Sequence, residues 1–267
     1  MKRFLLLMVS MALFVAVSCD DNNPDNPGNI DSAMLIKSVE QMPMMSHGDG
    51  PLVPHIRMGK EFTYDESKRI AKIVHTSESP QFDDKGNVTG WYNGGGNSES
   101  TFVYDDATKT VTIESMELIP GTFKVENGRL TEQVLDAPAK QTFTYDDSGQ
   151  MTSYTGGGKS YPFTWTEGNI TGRSGSEVSY SFKYSSDLNP FQIGPDPTFG
   201  QAHPFFELGL LGKHNKNLLS SYTMNNNGNT STSTFKYEKD SKGRITQIDE
   251  VIDGGTTIRT EIHYVED

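Results

Sequence analysis

The sequence predicts an all-β protein: an up-and-down antiparallel meander of about 14–16 strands, built from hairpin repeats of about 20 residues and curled into a half-barrel or a barrel. Three observations predict this fold class. One aromatic phrase recurs at a nearly constant interval, two kinds of turn sequence alternate between its copies, and no helical spacing of apolar residues separates those turns. A flat open sheet of that many strands is unusual, because twisted sheets curl or close.

The repeated phrase has an aromatic start, a second aromatic residue two positions later, a polar turn and a β-branched return. It reads FTYDESKRIAKI at 62–73, FVYDDATKTVTI at 102–113, FTYDDSGQMTSY at 143–154 and FKYEKDSKGRITQI at 235–248. Residues two apart on a strand point to the same face, so both aromatic residues face one way. The starts follow at steps of 19 to 21 residues: Phe62, Phe82, Phe102, Phe123, Phe143, Phe163 and Phe182, with later copies at Phe235 and Ile262.

Two groups of turn sequences close the predicted hairpins at opposite ends. The first group carries Asp, Asn and Gly, which tolerate the positive φ of short hairpin loops: DDKGN (83–87), ENGR (126–129), DDSGQ (146–150), EGN (167–169) and NNNGN (225–229). The second group comprises NGGGN (93–97), IPG (119–121), TGGGK (155–159) and DGG (253–255). Turns that alternate every 8 to 12 residues, roughly, are typical of a meander.

The chain begins with the features of a secretory signal. Residues 1–18 hold two basic residues, an apolar run and small residues, followed by Cys19, the single cysteine. The run Ala16-Val17-Ser18-Cys19 resembles a bacterial lipoprotein signal, in which the processed cysteine carries the lipid. We therefore expect a signal peptide at 1–18, then a lipidated Cys19 and a disordered acidic tether over 19–32.

The remainder of the chain, residues 33–267, is predicted to be one all-β repeat domain. A single long insertion near 185–219 interrupts the repeat, with four prolines between Tyr184 and Tyr222 and a dense apolar block. Such an insertion either caps the open end of the curled sheet or forms the lip of a ligand pocket.

Three features together resemble a family of uncharacterised secreted bacterial lipoproteins: the lipoprotein signal, the FxYD hairpins and the insertion NPF…GLLGKHNKNLLSSYT. The resemblance implies a porin-like β fold and supplies no catalytic residues. The acidic run after Cys19 resembles the surface-export signal of some Gram-negative gut commensals. It implies attachment to the outer membrane facing outward, with the periplasmic face as the alternative. The hairpins are also similar in period to bacterial YD repeats, a structural analogy only.

Charge and motifs exclude several functions. Without residues 1–18, which hold Lys2 and Arg3, the chain has 21 basic and 35 acidic residues, a net charge of −14. Such a chain lacks the basic clusters that bind nucleic acid. The six histidines have no metal-ligand spacing, and no nucleophile elbow, phosphate loop or dinucleotide fingerprint occurs. No metal, cofactor or catalytic residue is therefore predicted.

Aromatic residues beside the second group of turns are the candidate ligand-binding positions. Trp91 and Tyr92 precede NGGGN, and Tyr154 and Tyr161 flank TGGGK. Aromatic rings near a loop rim stack on sugars or apolar ligands, although cross-strand packing explains the same residues. Phe205 and Phe206 in the insertion complete the candidate set.

The function that follows is a non-enzymatic binding or scaffold module, held at the outer membrane by its N-terminal lipid. Its predicted partner is a glycan or another envelope component. Two alternatives stay open. The chain is an assembly partner of another cell-envelope protein, or it is an enzyme whose carboxylate pair is hidden among the 35 acidic residues.

Overall fold

The computed structural model describes residues 35–46, 52–93, 96–116, 118–135, 140–175, 178–189, 209–253 and 255–265. None of these residues belongs to a helix long and apolar enough to cross a membrane. They form eighteen strands: β1 (Ile36–Ser46), β2 (Leu52–Pro54), β3 (Arg57–Tyr64), β4 (Ile70–Phe82), β5 (Val88–Asn93), β6 (Ser98–Asp105), β7 (Thr110–Ser115), β8 (Gly121–Glu126), β9 (Arg129–Gln133), β10 (Thr142–Tyr145), β11 (Met151–Gly156), β12 (Lys159–Thr166), β13 (Asn169–Ser174), β14 (Val178–Leu188), β15 (Asn217–Asn226), β16 (Asn229–Lys239), β17 (Ile245–Ile252) and β18 (Thr256–Tyr264).

The strands form a closed antiparallel barrel. Successive strands pair around it, and β18 returns to pair with β1 from Ile36↔Tyr264 to Met44↔Thr257. Within the described residues, β2 pairs only with β1 and β5 only with β4, so the other sixteen strands make the barrel. β4 continues past its pairing with β6 to form an extra hairpin with β5. The predicted all-β meander is confirmed, and the sheet closes completely.

The two ends of the barrel differ. We call the end where β1 begins and β18 finishes the base, and the opposite end the rim. At the base, the backbone N–H of Val265 donates to the carbonyl of Leu35 at 2.8 Å, so the first described residue enters there. The DDSGQ turn lies at the base and the TGGGK turn at the rim, as two ends of one strand pair require. The sequence grouped the NNNGN and DDKGN turns with DDSGQ, and this was wrong for both. NNNGN lies at the rim, and DDKGN closes the extra hairpin.

The repeated phrase is explained by this architecture. Its first aromatic residue is buried inside the barrel: Phe62, Phe102, Phe123, Phe143, Phe163, Phe182 and Phe235. Phe82, the copy that leads straight into its turn, instead sits on the extra hairpin and is 46% exposed. The second aromatic residue also points inward, toward the base. Its polar atom donates to a carbonyl near the start of the neighbouring strand, as in Tyr64→Ile36, Trp165→Met151, Tyr184→Ile170, Tyr237→Leu219 and Tyr264→Ile245.

These hydrogen bonds join each hairpin to the next at the base. Their donor–acceptor distances are 2.7–2.8 Å, and each bond between partly buried groups stabilises the fold by about 1 kcal/mol. A β-bulge directly before the second aromatic residue recurs, for example between Thr63 and Tyr64 and between Thr164 and Trp165. A β-bulge adds local twist and redirects a side chain, which helps the second aromatic residue reach the neighbouring strand at the base.

The outer wall of the barrel is polar. The residue between the two inward positions of each phrase points outward and is exposed in every copy: Thr63, Val103, Lys124, Thr144, Thr164, Lys183, Lys236 and His263. Only Val103 in this set is apolar. A transmembrane barrel has the opposite arrangement, with an apolar band on its outer face and a polar interior.

The described part of the insertion crosses the base. Between Gly209 and Lys216 the chain makes three backbone hydrogen bonds to three strand pairs. The Leu210 carbonyl accepts from the Leu130 N–H at 2.9 Å, and the N–H groups of Lys213 and Lys216 donate to the Gly149 and Gly168 carbonyls at 2.9 and 3.0 Å. Leu211 is fully buried. This segment, which we call the strap, covers one side of the base; residues 190–208 lie outside the described part.

Gly212 should be the position in the strap that tolerates a side chain least. Its φ is +79°, and a Cβ there would overlap the Gly149 carbonyl and lie 2.9 Å from the Tyr145 ring. Gly228 has a φ of +89° and nothing within 4 Å of its virtual Cβ. We expect Gly228→Ala to lower the free energy of unfolding by about 1 kcal/mol through backbone strain alone. Gly212→Ala adds a steric clash and should cost about 3 kcal/mol in urea unfolding. Equal losses would show that the strap does not pack as described.

Candidate functional site

The inner face of the barrel changes character from one side to the other. The residue that pairs with the repeated aromatic on the next strand is aliphatic on β1, β4 and β7, where it is Val39 (opposite Ile262), Ile73 and Ile113. On β9 to β17 the same position holds Gln133, Tyr154, Arg173, Tyr222 and Glu250. An otherwise apolar core position is therefore polar or aromatic along about half of the barrel.

The position two residues before each repeated aromatic extends this surface toward the rim. Strand alternation makes it face inward too. On β12 and β14 it is Tyr161 and Tyr180, and Gln141 occupies it directly before β10. We call the combined surface the inner polar wall: Gln133, Gln141, Tyr154, Tyr161, Arg173, Tyr180, Tyr222 and Glu250. Mouths of β-barrels with a few convergent polar groups are common ligand sites.

Contacts along the inner polar wall fix its side chains. Tyr154 is 1% exposed, its hydroxyl donates to Gln141 Oε1 at 3.2 Å, and its ring stacks on Tyr161 with centroids 5.9 Å apart. The Arg173 guanidinium lies 4.1 Å from the centroid of the Tyr180 ring. A cation held over an aromatic face is oriented as well as stabilised.

The wall ends at a buried carboxylate. Glu250 is 4% exposed, and the Tyr222 hydroxyl donates to its Oε1 at 3.0 Å. Burial is the main cause that raises the pKa of the Glu250 carboxyl above its ordinary value of 4.5. The folded state therefore holds this proton more tightly than the unfolded chain does.

Glu250→Gln should remove a pH-dependent loss of stability. Because the pKa of Glu250 is raised on folding, its contribution is fully present below pH 4.5 and declines as the pH rises through the folded-state pKa. The glutamine variant keeps the acceptor for Tyr222 without the charge. It should be more stable than the wild type at pH 8, and the difference should vanish at acidic pH. Thermal melts across pH 4–8 test this, with exposed Glu238→Gln as the control. A difference that is constant with pH would contradict it.

The opposite side of the inner face carries a second polar group. His75 Nε2 lies 2.8 Å from Ser100 Oγ, which lies 2.7 Å from Ser115 Oγ. Lys60 pairs in register with His75, and both point inward. The His75–Ser100 distance is that of a nucleophile and its base, but Ser100 is fully buried and shares its hydroxyl with Ser115. His75, Ser100 and Ser115 therefore form a hydrogen-bonded group on the inner wall.

The predicted ligand-binding residues fall in different places. Tyr154 and Tyr161 are brought together inside the barrel. Trp91 is half-buried on the outer face of β5, with the Arg57 guanidinium 4.5 Å from its ring, while Tyr92 on the opposite face is 60% exposed. Cys19, Phe205 and Phe206 lie outside the described residues. The structure does not place Trp91 with the tyrosines, and their use in binding stays a prediction.

Sequence inspection missed most of the inner polar wall. Arg173, Tyr180, Tyr222 and Glu250 stand in no motif, and they converge only because the barrel closes. One signal was available: residues two before each repeated aromatic share its face, so Tyr180 could have been assigned to the interior from strand alternation.

A carboxylate pair also occurs, on the outer wall. Glu40 and Glu261 are directly opposed across β1 and β18, and ligand atoms of both and of His263 lie within 4.8 Å of one another. Arg57 Nη1 already contacts Glu40 at 3.2 Å. The pair faces outward instead of lining a cleft. Its members lie at opposite ends of the sequence, so no local motif contains both.

The architecture defines the class: a porin-like β-barrel. A porin-like protein from Bacteroides uniformis ATCC 8492 matches with a TM-score of 0.61 at 12% identity, over 87% of this chain and 99% of that chain. A porin-like protein from Bacteroides vulgatus ATCC 8482 gives a TM-score of 0.48 at 13% identity, with coverage of 87% and 99%. No family model and no curated protein matches the chain. The first of these similarities confirms the porin-like fold expected from the sequence, and it concerns the fold alone.

Proposed function

We propose that this chain is an outer-membrane-anchored, extracytoplasmic lipoprotein that binds a ligand without catalysing a reaction, through the inner polar wall. The observation that carries the proposal is the switch of one repeated core position from aliphatic residues to Gln, Tyr, Arg and Glu along β9 to β17. Polar groups that face the interior are costly to a core, so an uninterrupted series of them at one repeated position points to use.

The predicted anchor and the inner polar wall suit each other geometrically. The chain enters the barrel at the base, where Leu35 meets Val265. Fifteen residues lie between Cys19 and Leu35, and a tether of that length, if disordered as its sequence predicts, spans about 20 Å. A lipid on Cys19 would therefore hold the base near the bilayer and turn the rim away from it. The polar outer wall supports a barrel that stands in water beside the membrane.

The side chains of the wall suit a glycan or a similar polar envelope component. Tyrosine rings offer flat apolar faces on which sugar rings stack, and the amides of Gln133 and Gln141 donate and accept hydrogen bonds as sugar hydroxyls require. The Tyr180–Tyr222 contact, with centroids 6.0 Å apart, and the stack of Tyr161 on the buried Tyr154 hold three partly exposed rings, Tyr161, Tyr180 and Tyr222, on one surface.

A second candidate is assembly with another envelope protein. Large apolar side chains are exposed on the rim loops and extra strands between β1 and β10: Leu52, Phe82, Tyr92, Met116, Val134 and Leu135. Exposed apolar groups gathered on one side mark interaction surfaces. Closure of the barrel weighs against strand addition, since within the described residues only the short β2 and β5 leave an edge.

Binding to a panel of neutral and acidic polysaccharides tests the proposal. Isothermal titration of the purified mature protein should detect at least one polymer. Tyr180→Ala should then weaken that binding about tenfold or more, a loss of about 1.4 kcal/mol, while Trp91→Ala on the outer face should leave it unchanged. Melting temperatures of both variants confirm folding. Loss of binding in Trp91→Ala alone would move the site to the outer face, and no binding to any member would overturn the glycan proposal.

A further inference from the structure

We propose that the ligand of the inner polar wall is anionic: an oligosaccharide that bears carboxylate or sulfate groups. This inference rests on the proposed function and goes beyond it by naming the charge of the ligand. It follows from the way charges are divided between the two faces of the barrel.

The inward face carries most of its charge as cations. From the level of the repeated aromatics to the rim, the described strands place the cations Lys60, Lys159 and Arg173 at inward positions, with the His75 ring beside Lys60, against one inward carboxylate, Glu250. These positions follow from strand pairing, because each pairs with another inward residue. Burial raises the pKa of Glu250, which weakens the one negative charge on this face.

The outward face holds the acids. Strand alternation directs nine carboxylates outward: Glu40, Glu61, Glu78, Glu99, Glu114, Glu132, Glu238, Asp249 and Glu261. The whole chain has a net charge of −12. Outward Lys and Arg side chains form ion pairs with five of these nine carboxylates. The inward face, where the described strands place more bases than acids, therefore carries a positive field in a chain that is acidic as a whole. Walls of low dielectric focus such a field and attract a ligand of opposite charge.

The basic groups occupy fixed inward positions. Lys60 and His75 are directly opposed across β3 and β4, so both side chains lie on the inner face. The Arg173 guanidinium carbon lies 4.1 Å from the centroid of the Tyr180 ring, and this contact orients the cation in advance. An oriented guanidinium makes paired hydrogen bonds to a carboxylate or sulfate, and the partly exposed Tyr161 ring offers a face on which a sugar ring can stack.

Ligands of the same sugar backbone with and without charge test the inference. For carboxylates the probes are hexagalacturonate and its methyl ester, and for sulfates a carrageenan hexasaccharide and its desulfated form. Titration of the mature protein should show binding of at least one anionic probe, about tenfold or more tighter than its neutral counterpart and weakened as salt rises from 50 to 300 mM, roughly a twofold change in screening length.

Substitutions of inner-wall and outer-wall basic residues then test which of them bind the anionic probe. Lys60→Gln combined with Arg173→Gln should weaken the anionic probe about tenfold or more, and Lys60→Arg should retain it. The matched control, Lys183→Gln combined with Lys236→Gln, removes the same charge from the outer wall and should change binding less than twofold, roughly. Melting temperatures verify that each variant folds.

The outcomes separate this inference from the proposed function. Equal binding of neutral and charged probes, lost in Tyr180→Ala, would overturn the inference and leave the glycan proposal standing. Anion binding that is lost only in the outer-wall control would also overturn it. Binding of no probe, together with no binding across the polysaccharide panel, would overturn both.

Discussion

Phe102→Ala is expected to lower the free energy of unfolding by about 3–5 kcal/mol, the usual cost of removing a buried phenylalanine. Phe102 is 4% exposed, pairs with Ile113 and lies in the buried core cluster that runs around the barrel. Truncation would leave a cavity that a closed sheet fills poorly, because its strands are fixed on both sides by hydrogen bonds. Urea unfolding followed by circular dichroism measures the effect.

The neighbouring residue gives a matched control. Val103 stands next in the same strand, points outward and is 61% exposed, so Val103→Ala should change stability by less than about 0.5 kcal/mol. The two substitutions share a strand and differ only in the face they occupy. Comparable losses at both positions would mean that the outer wall is packed against something, and the assignment of inner and outer faces would be wrong.

Cys19→Ala is expected to move the protein from the membrane fraction to the soluble fraction. Each buried methylene of an attached acyl chain contributes about 0.8 kcal/mol, so the loss of two or more chains removes stable anchoring. Among the described residues, the outer wall is polar and has no apolar band that would bind the bilayer. Fractionation of cells and labelling with radioactive palmitate measure the change.

Ser18→Ala is the control, because it keeps a small residue before the cysteine. It should stay in the membrane fraction with its label. Retention of Cys19→Ala in the membrane would contradict lipid anchoring and favour either an uncleaved N-terminal helix or a barrel embedded in lipid.

Much of the fold could be predicted because the hairpins repeat local chemistry. Phe143 and Tyr145 share a face by strand alternation, and the DDSGQ turn uses residues that accept its backbone angles; the Gly149 φ is +86°. Closure could not be predicted from these local rules, because the pairing of β1 with β18 joins residues more than 200 positions apart. The extra β4–β5 hairpin was also hidden, because Phe82 fits the spacing of the repeat although it leads straight into its turn. Its 46% exposure separates it from the core copies.

The candidate site was harder to predict than the fold. Tyr154 and Tyr161 were selected for their nearness to a glycine-rich turn, and they proved to lie inside the barrel. Trp91 was selected by the same rule and lies on the outer face, because alternation along β5 places it beside Arg57. Arg173 and Glu250 could not be assigned to the inner face from the sequence. The pattern of a half-polar strand does not show which face a single charged residue occupies, because that depends on how the sheet closes.

We propose that this porin-like barrel stands in water with its polar outer wall exposed. Single cysteines at Thr144, Thr164 and Lys236, three exposed positions on the outer wall, test it most directly. Cys19 is the only native cysteine and does not react once it is lipidated. In isolated outer-membrane fragments, a charged maleimide should label all three as fast as a cysteine at the rim turn residue Asn227. Rapid labelling at the turn with protection of the three wall positions would show that the barrel spans the bilayer and would contradict the account.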